Sequence, residues 1–213
     1  IIFHRQPSAP DTQLITSDID DQTLKSAKNF WVSACALSQG TTAESIFYWL
    51  EVRGRAKETI IDLDYRPSFW RSREDARVAA QRALAHCTIA IGNIVECDVA
   101  LGLTDPNKAA EDLLNRGITL AIVKMGGEGV LLATKDKVHV VKPLPIKLVC
   151  GLGAGDAFGG ALIHGLLSGW DLEKIGAFAN AAGAYLASEL MCADAMPTLE
   201  ILNKFIEEMG SNR

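Results

Sequence analysis

A glycine-rich stretch with a single carboxylate is the strongest candidate for chemistry in this sequence of 213 residues. It reads CGLGAGDAFGG from Cys150 onward, and an apolar segment with helical periodicity follows it directly. Backbone N–H groups at the start of a helix carry partial positive charge, and glycines let an anion approach them closely. The pattern therefore indicates an anion-binding cradle at Gly153, Ala154 and Gly155, with Asp156 placed to carry a proton beside it.

The same stretch has a purely structural alternative. An Asp in the first turn of a helix stabilises it through the helix dipole, and glycines there can serve close packing on a sheet. Two familiar phosphate motifs do not fit the stretch. A P-loop needs Gly-Lys-Ser/Thr, and the dinucleotide fingerprint needs a third glycine at another spacing in an N-terminal βαβ unit. A Rossmann-type oxidoreductase is therefore disfavoured.

Polar residues that follow apolar, β-branched runs form a second group of candidates. Arg66 could pair with a carboxylate or phosphate of a ligand, or simply with Asp62 or Asp64 beside it. Asn93 and Glu96 could organise a hydrated Mg²⁺, which favours oxygen ligands and keeps waters. Alternatively, Asn93 is the N-cap of a helix and Glu96 its third residue, as in a capping box.

A third candidate is the segment KMGGEGV, residues 124–130. Its glycines could let the backbone approach a nucleotide closely. The alternative is a tight turn that leads into a hairpin.

The hydrophobic pattern predicts the elements that position these residues. Apolar runs alternate with segments of helical periodicity, the runs at 30–37, 59–64, 87–92 and 118–125 and the helices at 42–56, 72–86 and 106–116. This alternation is typical of βαβ units and a parallel sheet, in which ligands bind at the carboxyl ends of the strands.

The pattern changes after Gly126, where GVLLAT and VHVVKP around KDK predict a β-hairpin. Three helices are expected after it, at 155–169, 172–190 and 198–209, with Asp171 and Thr198 as N-caps of the last two. We expect one α/β domain over residues 1–213.

Composition and charge disfavour some classes of function for this protein. The net charge of −5 and the absence of a Lys/Arg run disfavour nucleic acid as a partner. The apolar runs are far shorter than a membrane span, and the opening shows no signal-peptide pattern. The five cysteines are scattered, without a close Cys-x-x-Cys pair. We interpret them as reduced thiols of a cytoplasmic protein.

Taken in order, these motifs resemble those of the ribokinase (PfkB) family of sugar kinases. They are Asp-x-x-x-Arg, Asn-x-x-Glu, Gly-Gly-x-Gly and Gly-Ala-Gly-Asp, followed by a late asparagine, Asn180, in ANAAGA. The resemblance covers essentially the whole chain. It implies a three-layer α/β/α fold with a mainly parallel central sheet and a late β-hairpin, and ATP-dependent phosphorylation of a carbohydrate.

Two further stretches, DLDYRPSFW at 62–70 and CADAMPT at 192–198, are similar to 5-dehydro-2-deoxygluconokinases of inositol catabolism within that family. So is the opening IIFHR, which in kinases of keto-deoxy sugar acids supplies an arginine to the substrate carboxylate. The resemblance thus implies the terminal hydroxyl of 5-dehydro-2-deoxygluconate as acceptor, with 2-keto-3-deoxygluconate, ribose and fructose as alternatives. A non-catalytic nucleotide-binding module is the alternative from another class.

The resemblance also assigns roles to residues. Asp156 would be the base, and Gly153, Ala154 and Gly155 the anion hole for the phosphoryl group. The remaining roles concern magnesium (Asn93, Glu96), ATP (Lys124, Gly126, Gly127, Gly129, Asn180) and the acidic sugar (Arg5, Arg66).

The chain departs from the family pattern in three respects. Cys150, Gly151 and Leu152 stand where the family often has Asp-Thr-Thr, so its monovalent-cation site is not carried over. Asp64 replaces the usual asparagine of the Asp-x-x-x-Arg motif. The N-terminal third, with the lid over the sugar, has no counterpart here. We therefore expect the ATP half and part of the acceptor site, and the resemblance allows a homodimer.

Overall fold

The computed structural model describes residues 5, 8–55 and 58–211, so Arg5 is the one residue of the opening IIFHR that lies within them. The chain divides into two compact units. The first comprises the described residues up to Met125 together with Ala133–Val138. The second comprises Gly126–Leu132 and the residues from His139 onward. The expectation of a single domain stays a prediction.

Four parallel strands form the sheet of the first unit. They are adjacent in sequence order and comprise β1 (Asn29–Ser33), β2 (Glu58–Asp62), β3 (Ile89–Asn93) and β4 (Leu120–Lys124). The register pairs Asp62 with Ile91, and Asn93 with Lys124. β2, β3 and β4 thus each end in a polar residue, and parallel pairing brings these ends to one edge of the sheet.

Five helices belong to the first unit: α1 (Asp21–Ser26), α2 (Gly40–Arg53), α3 (Arg73–Leu84), α4 (Ile94–Leu101) and α5 (Pro106–Asn115). The predicted helices are confirmed as α2, α3 and α5. Their predicted partner strands are confirmed as well, although the first ends at Ser33 because residues Ala34–Leu37 form a 3₁₀ turn. α1 was not predicted. α4 is the helix given as the structural alternative for Asn93 and Glu96, and it follows β3 without an intervening turn residue.

The core of the first unit consists of aliphatic side chains from the strands and helices. Ile60, Ile61, Ile91 and Ile122 on the strands, and Leu50 on α2, are fully buried. Burying such a side chain contributes about 1.5–3 kcal/mol. This rigid interior fixes the ends of the strands, where the polar candidates lie.

The second unit contains most of a hairpin and three helices: β5 (Val130–Ala133), β6 (Val138–Val141), α6 (Ala154–Leu167), α7 (Leu172–Ala187) and α8 (Leu199–Ser211). The predicted hairpin is confirmed, with the Thr134 N–H donating to Lys137 O at 2.8 Å in its turn. Both predicted N-caps are confirmed, because Asp171 accepts from Lys174 N at 2.8 Å and Thr198 Oγ1 from Ile201 N at 3.3 Å.

Small residues allow α6 and α7 to pack closely. A Cβ atom on Gly165 of α6 would lie 2.8 Å from the Ile175 side chain of α7. Beside it, the rings of His164 and Phe178 pack on Trp170, each at 5.1 Å between centroids. In the described ranges, no helix is both long and apolar enough to cross a membrane, and all five cysteines of the chain are free.

Candidate active site

Four polar residues meet at the ends of the parallel strands in the first unit, and we call Asp62, Asn93, Glu96 and Lys124 the strand-end cluster. The Lys124 ammonium lies 3.9 Å from Asp62 Oδ1 and 4.0 Å from Glu96 Oε2. Asp62 is 7 % exposed and Glu96 is 5 % exposed. One lysine therefore faces two buried carboxylates, and the cluster carries a net negative charge when both are ionised.

The start of α4 holds Asn93 and Glu96 rigidly. Asn93 Oδ1 accepts from the Glu96 N–H at 3.0 Å, and Glu96 Oε2 accepts from the Asn93 N–H at 2.6 Å. This is a reciprocal capping box, the structural alternative considered for these residues. The two interpretations are compatible, since a capped glutamate still has oxygen lone pairs to offer a ligand.

Asp62 is the least satisfied member of the cluster. Burial raises the pKa of its carboxyl to about 7, with the Glu96 and Asp64 charges acting in the same direction and Lys124 opposing them. Its Oδ1 accepts no hydrogen bond from any residue that the structure describes. A buried acceptor without a donor is costly, so this oxygen is suited to a cation or to water.

The strand-end cluster fits the magnesium that the family resemblance implies. Its donors are carboxylate and amide oxygens, which Mg²⁺ prefers. Within the described ranges, no group of three or more His, Cys, Asp or Glu side chains could hold a metal by itself. This also suits Mg²⁺, because that ion usually takes one or two carboxylates and completes its shell with water and substrate phosphates.

Both arginines expected to face an acidic substrate lie in the first unit. Arg66 Nη1 is 2.8 Å from Asp64 Oδ1. Arg5 forms an ion pair with Asp11, and its guanidinium carbon lies 3.9 Å from the centroid of the Phe69 ring. Arg5 thus packs on the segment that carries Arg66.

Cys35 links these two arginine environments. Burial raises the pKa of its thiol to about 11, a hydrogen bond with Ser33 at 3.1 Å lowers it, and the charges of Asp64 and Arg5 both act on it. Arg5 Nη1 also donates to Ser38 Oγ at 3.2 Å, and Ser38 Oγ donates to the Cys35 carbonyl oxygen at 2.8 Å. Arg5 and Arg66 could each offer a guanidinium group to an anion.

In the second unit, α6 begins with glycine in the left-handed region. Gly153 is the N-cap with φ of +80°, and no described side chain caps the helix. A Cβ atom there would lie 2.5 Å from Cys192 Sγ, so both the backbone conformation and the space require glycine. The Ala154 N–H donates to the Gly151 carbonyl oxygen at 3.4 Å. The N–H groups that follow in the first turn have no partner within the helix, which leaves them available to an anion.

Asp156 lies in the first turn of α6 and is exposed. It lines a groove of about 320 Å³, together with Gly160 and His164 of the same helix and Met196, Pro197 and Thr198 before α8. The carboxylate is therefore accessible, beside the N–H groups that could receive a phosphoryl group.

The glycine turn expected to line the nucleotide is a 3₁₀ turn over Gly126–Glu128, which leads into β5. Gly126 and Gly129 have φ of +58° and +97°, and Gly129 N donates to Gly126 O at 3.1 Å. A Cβ atom on Gly129 would overlap the carbonyl oxygen of Val141. A Cβ atom on Gly127, between them, would meet nothing within 4 Å beyond its chain neighbours, so this face of the turn is open.

Asn180 lies on α7 and lines a cavity of about 780 Å³, with Leu144, Trp170 and Asn203 among its walls. Its side-chain amide donates to the carbonyl oxygen of Lys142 at 3.1 Å. The cavity is large and mostly apolar, with a few polar groups, as small-molecule sites generally are.

The structure thus sorts the predicted residues into two sets, one in each unit: Arg5, Arg66, Asn93, Glu96 and Lys124 in the first, and Gly126, Gly127, Gly129, Gly153, Ala154, Gly155, Asp156 and Asn180 in the second. Sequence reasoning did not single out Asp62 for a role with Lys124 and Glu96. The sequence places each of these three residues at or just after the end of a successive strand, but Asp62 was considered only as an ion-pair partner of Arg66.

Comparison with known proteins identifies the relatives of this chain. The chain is 31 % identical to 5-dehydro-2-deoxygluconokinase of Clostridium tetani over 98 % of its own length and 63 % of that protein. It is also 31 % identical to the protein of that name from Geobacillus thermodenitrificans, over 100 % of this chain and 65 % of that protein. The chain therefore spans less than two thirds of the length of these curated relatives.

Solved structures show the same fold. Fructokinase with bound ATP from Xylella fastidiosa superposes with a TM-score of 0.84 at 20 % identity, over 96 % of this chain and 69 % of that one. Aminoimidazole riboside kinase from Salmonella enterica gives 0.82 at 23 % identity, over 94 % and 69 %. The expected ribokinase-like α/β fold is confirmed. The pfkB family carbohydrate kinase profile matches residues 1–199, and the chain belongs to this family.

Proposed function

We propose that this protein transfers the γ-phosphoryl group of ATP to the terminal hydroxyl of a keto-deoxy sugar acid, with 5-dehydro-2-deoxygluconate as the first candidate. The observation that carries the proposal is the start of α6, where an uncapped helix N-terminus with left-handed Gly153 stands beside the exposed carboxylate of Asp156. The relatives named 5-dehydro-2-deoxygluconokinase support the choice of acceptor.

In this proposal, the acceptor hydroxyl lies beside Asp156 at the start of α6. Its oxygen forms a bond to the γ-phosphorus, the bond from that phosphorus to the β–γ bridging oxygen breaks, and the hydroxyl proton passes to Asp156. An aspartate carboxylate is a weak base for an alcohol, but it suffices if the proton leaves late in a loose transition state. The N–H groups of Gly155 and its neighbours receive the equatorial phosphoryl oxygens.

The strand-end cluster would hold magnesium through Glu96 and Asn93. Bound there, Mg²⁺ would neutralise charge on the phosphates of the nucleotide. The capping box fixes the Glu96 carboxylate in place, so little reorganisation is needed.

Arg5 and Arg66 would recognise the carboxylate of the sugar acid. Each already has a carboxylate partner, Asp11 for Arg5 and Asp64 for Arg66. These partners orient the guanidinium groups, which present a planar fork suited to a second carboxylate. The cavity beside Asn180 and the open turn at Gly127 would take the nucleotide.

Location and assembly are part of the same proposal. We place the protein in the cytoplasm, where ATP is available and thiols stay reduced, in keeping with its five free cysteines. A homodimer is the assembly that the family resemblance allows, and light scattering of the purified protein measures it.

The test is ATP consumption with Mg²⁺ and a panel of acceptors: 5-dehydro-2-deoxygluconate, 2-keto-3-deoxygluconate, ribose and fructose. The Clostridium tetani relative serves as a positive control. We expect consumption to depend on a sugar acid and to be greatest with 5-dehydro-2-deoxygluconate. Preference for ribose or fructose would change the substrate class. Tight ATP binding without consumption for any acceptor would indicate a nucleotide-binding module instead.

A further inference from the structure

Lys124 has an unusual position for a residue expected to line a nucleotide. Its ammonium nitrogen is 3.9 Å from Asp62 Oδ1 and 4.0 Å from Glu96 Oε2. Both distances exceed the roughly 2.7–3.2 Å of a hydrogen bond. The ammonium is therefore in charge contact with both carboxylates and hydrogen-bonded to neither.

Because Asp62 and Glu96 are buried, the charge of the Lys124 ammonium matters to the stability of this carboxylate pair. Asp62 and Glu96 are almost inaccessible, whereas the Lys124 side chain is 19 % exposed. Two ionised carboxylates in such surroundings need a compensating charge, because desolvation and mutual repulsion both oppose them. Lys124 supplies that charge at the place where a divalent cation would have to bind to use Asp62 and Glu96.

Because these charge contacts are long, the Lys124 ammonium can leave the Asp62–Glu96 pair. It ends β4, its flexible four-carbon stem reaches the pair from the partly exposed side, and no short hydrogen bond to either carboxylate retains it. Asp62 Oδ1, which accepts no hydrogen bond from a described residue, then has a free lone pair for a metal or its water.

We propose that the Lys124 ammonium occupies the place of a cation between Asp62 and Glu96, so that a divalent metal competes with Lys124 for this carboxylate pair. The proposal rests on the proposed function in that magnesium is the metal a kinase of this kind uses. Lys124 leaves the pair only where another anion accepts its charge, and the phosphates of a nucleotide are such an anion. Metal binding without nucleotide is accordingly weak.

The experiment measures Mn²⁺ binding to the protein by electron paramagnetic resonance, without nucleotide or sugar. Mn²⁺ takes the same oxygen ligands as Mg²⁺ and its free form gives a direct signal. We expect Lys124→Met, which removes the charge at similar length, to bind Mn²⁺ at least about tenfold more tightly, given the size of charge interactions near 4 Å. Unchanged or weaker binding would overturn the proposal.

Three further variants identify the cause of any gain in Mn²⁺ affinity. Lys124→Arg keeps the charge and should bind Mn²⁺ as weakly as the unmodified protein. Lys108→Met removes an exposed lysine of α5 in the same unit and should also change nothing, unless overall charge is responsible. Adding Glu96→Gln to Lys124→Met should abolish the gain, because a carboxylate of the pair is then missing. A gain that persists in this double variant would contradict the proposal.

Thermal unfolding provides a second test of the competition between Lys124 and the metal. If Lys124→Met lowers the melting temperature, Mn²⁺ should raise it more in this variant than in the unmodified protein. An equal rise in both would count against competition. None of these measurements involves turnover, so a failed kinase assay leaves the result standing, and failure of the competition leaves the kinase proposal untouched.

Discussion

The two units prepare for charged ligands in different ways. The first uses side chains: two buried carboxylates face one lysine at the ends of parallel strands, and arginines pair with aspartates nearby. The second uses the backbone: α6 starts at Gly153 without a side-chain cap, beside an exposed Asp156.

This difference predicts different consequences of substitution. Side-chain charges in a buried site depend on one another, so removing one changes the stability and the metal affinity of the whole cluster. A backbone site depends on helix geometry and on glycine, so a single added methyl group can close it. Variants of the second unit should therefore act on phosphoryl transfer, and variants of the first on metal and substrate affinity.

The largest effect is expected for Asp156→Asn. The amide cannot take the hydroxyl proton, so transfer should fall by about 10³-fold or more while ATP binding is retained, within the range of general base catalysis. Transfer is measured by coupled ADP formation and binding by calorimetry.

The matched control for that variant is Glu200→Gln, which removes an exposed carboxylate from the first turn of α8. If Asp156 acted only on the helix dipole, both variants would lose a similar stability of about 0.3–1 kcal/mol and neither would lose transfer. That outcome would refute the role of Asp156 as the base.

Gly153→Ala should have the next largest effect. Its φ of +80° disfavours a side chain, and the added Cβ would meet Cys192 Sγ, so the start of α6 must shift. A displacement of this kind can lower transfer by about 100-fold. Steady-state kinetics measure the loss of transfer, and thermal melting measures the loss of stability caused by the strained start of α6.

Gly160→Ala is the comparison for Gly153→Ala. Gly160 lies within α6 and a Cβ atom there meets nothing within 4 Å. It should stabilise the protein by about 0.5–1 kcal/mol. If the two variants had the same rate of transfer and the same stability, the left-handed conformation of Gly153 would have no role in either property.

Glu96→Gln should mainly change the response to magnesium. The amide oxygen can still accept the Asn93 N–H, so the cap of α4 is largely kept while the negative charge is lost. The Mg²⁺ concentration for half-maximal activity should rise about 10–100-fold. A magnesium titration of activity tests this, and an unchanged titration would exclude Glu96 from the metal site.

The smallest effect is expected for Arg66→Ala. Loss of one charged hydrogen-bond donor should raise KM for the sugar acid by about tenfold, with KM for ATP unchanged. Arg82→Ala is the control, because this exposed arginine pairs with Glu51 elsewhere in the first unit. Equal changes in KM for both substrates would contradict a role in recognising the acid.

Sequence reasoning anticipated the parts of the fold that depend on local pattern. The strands, the hairpin and the caps at Asp171 and Thr198 follow from hydrophobic periodicity and from hydrogen bonding within a few residues. The short helix α4 was anticipated only as one of two interpretations of Asn93 and Glu96, since an apolar run that continues from β3 gives little sign of where the strand ends.

The contacts of the site depend on spatial neighbours instead. Arg5 packs on Phe69, 64 positions along the chain, and Lys124 reaches Asp62 across the intervening strand β3. The types of Asn93 and Glu96 indicated a cap or a magnesium site, and only the geometry shows that the cap forms. Lys124 was grouped with the glycine turn that follows it, because the sequence does not show that its ammonium group faces Asp62 and Glu96.

The most direct test of the account is ³¹P nuclear magnetic resonance of a reaction containing the protein, ATP, Mg²⁺ and 5-dehydro-2-deoxygluconate. The account predicts a new phosphate monoester whose phosphorus couples to the protons of the terminal carbon, and its absence with Asp156→Asn. An unchanged ATP spectrum, under conditions in which calorimetry shows that ATP is bound, would contradict it.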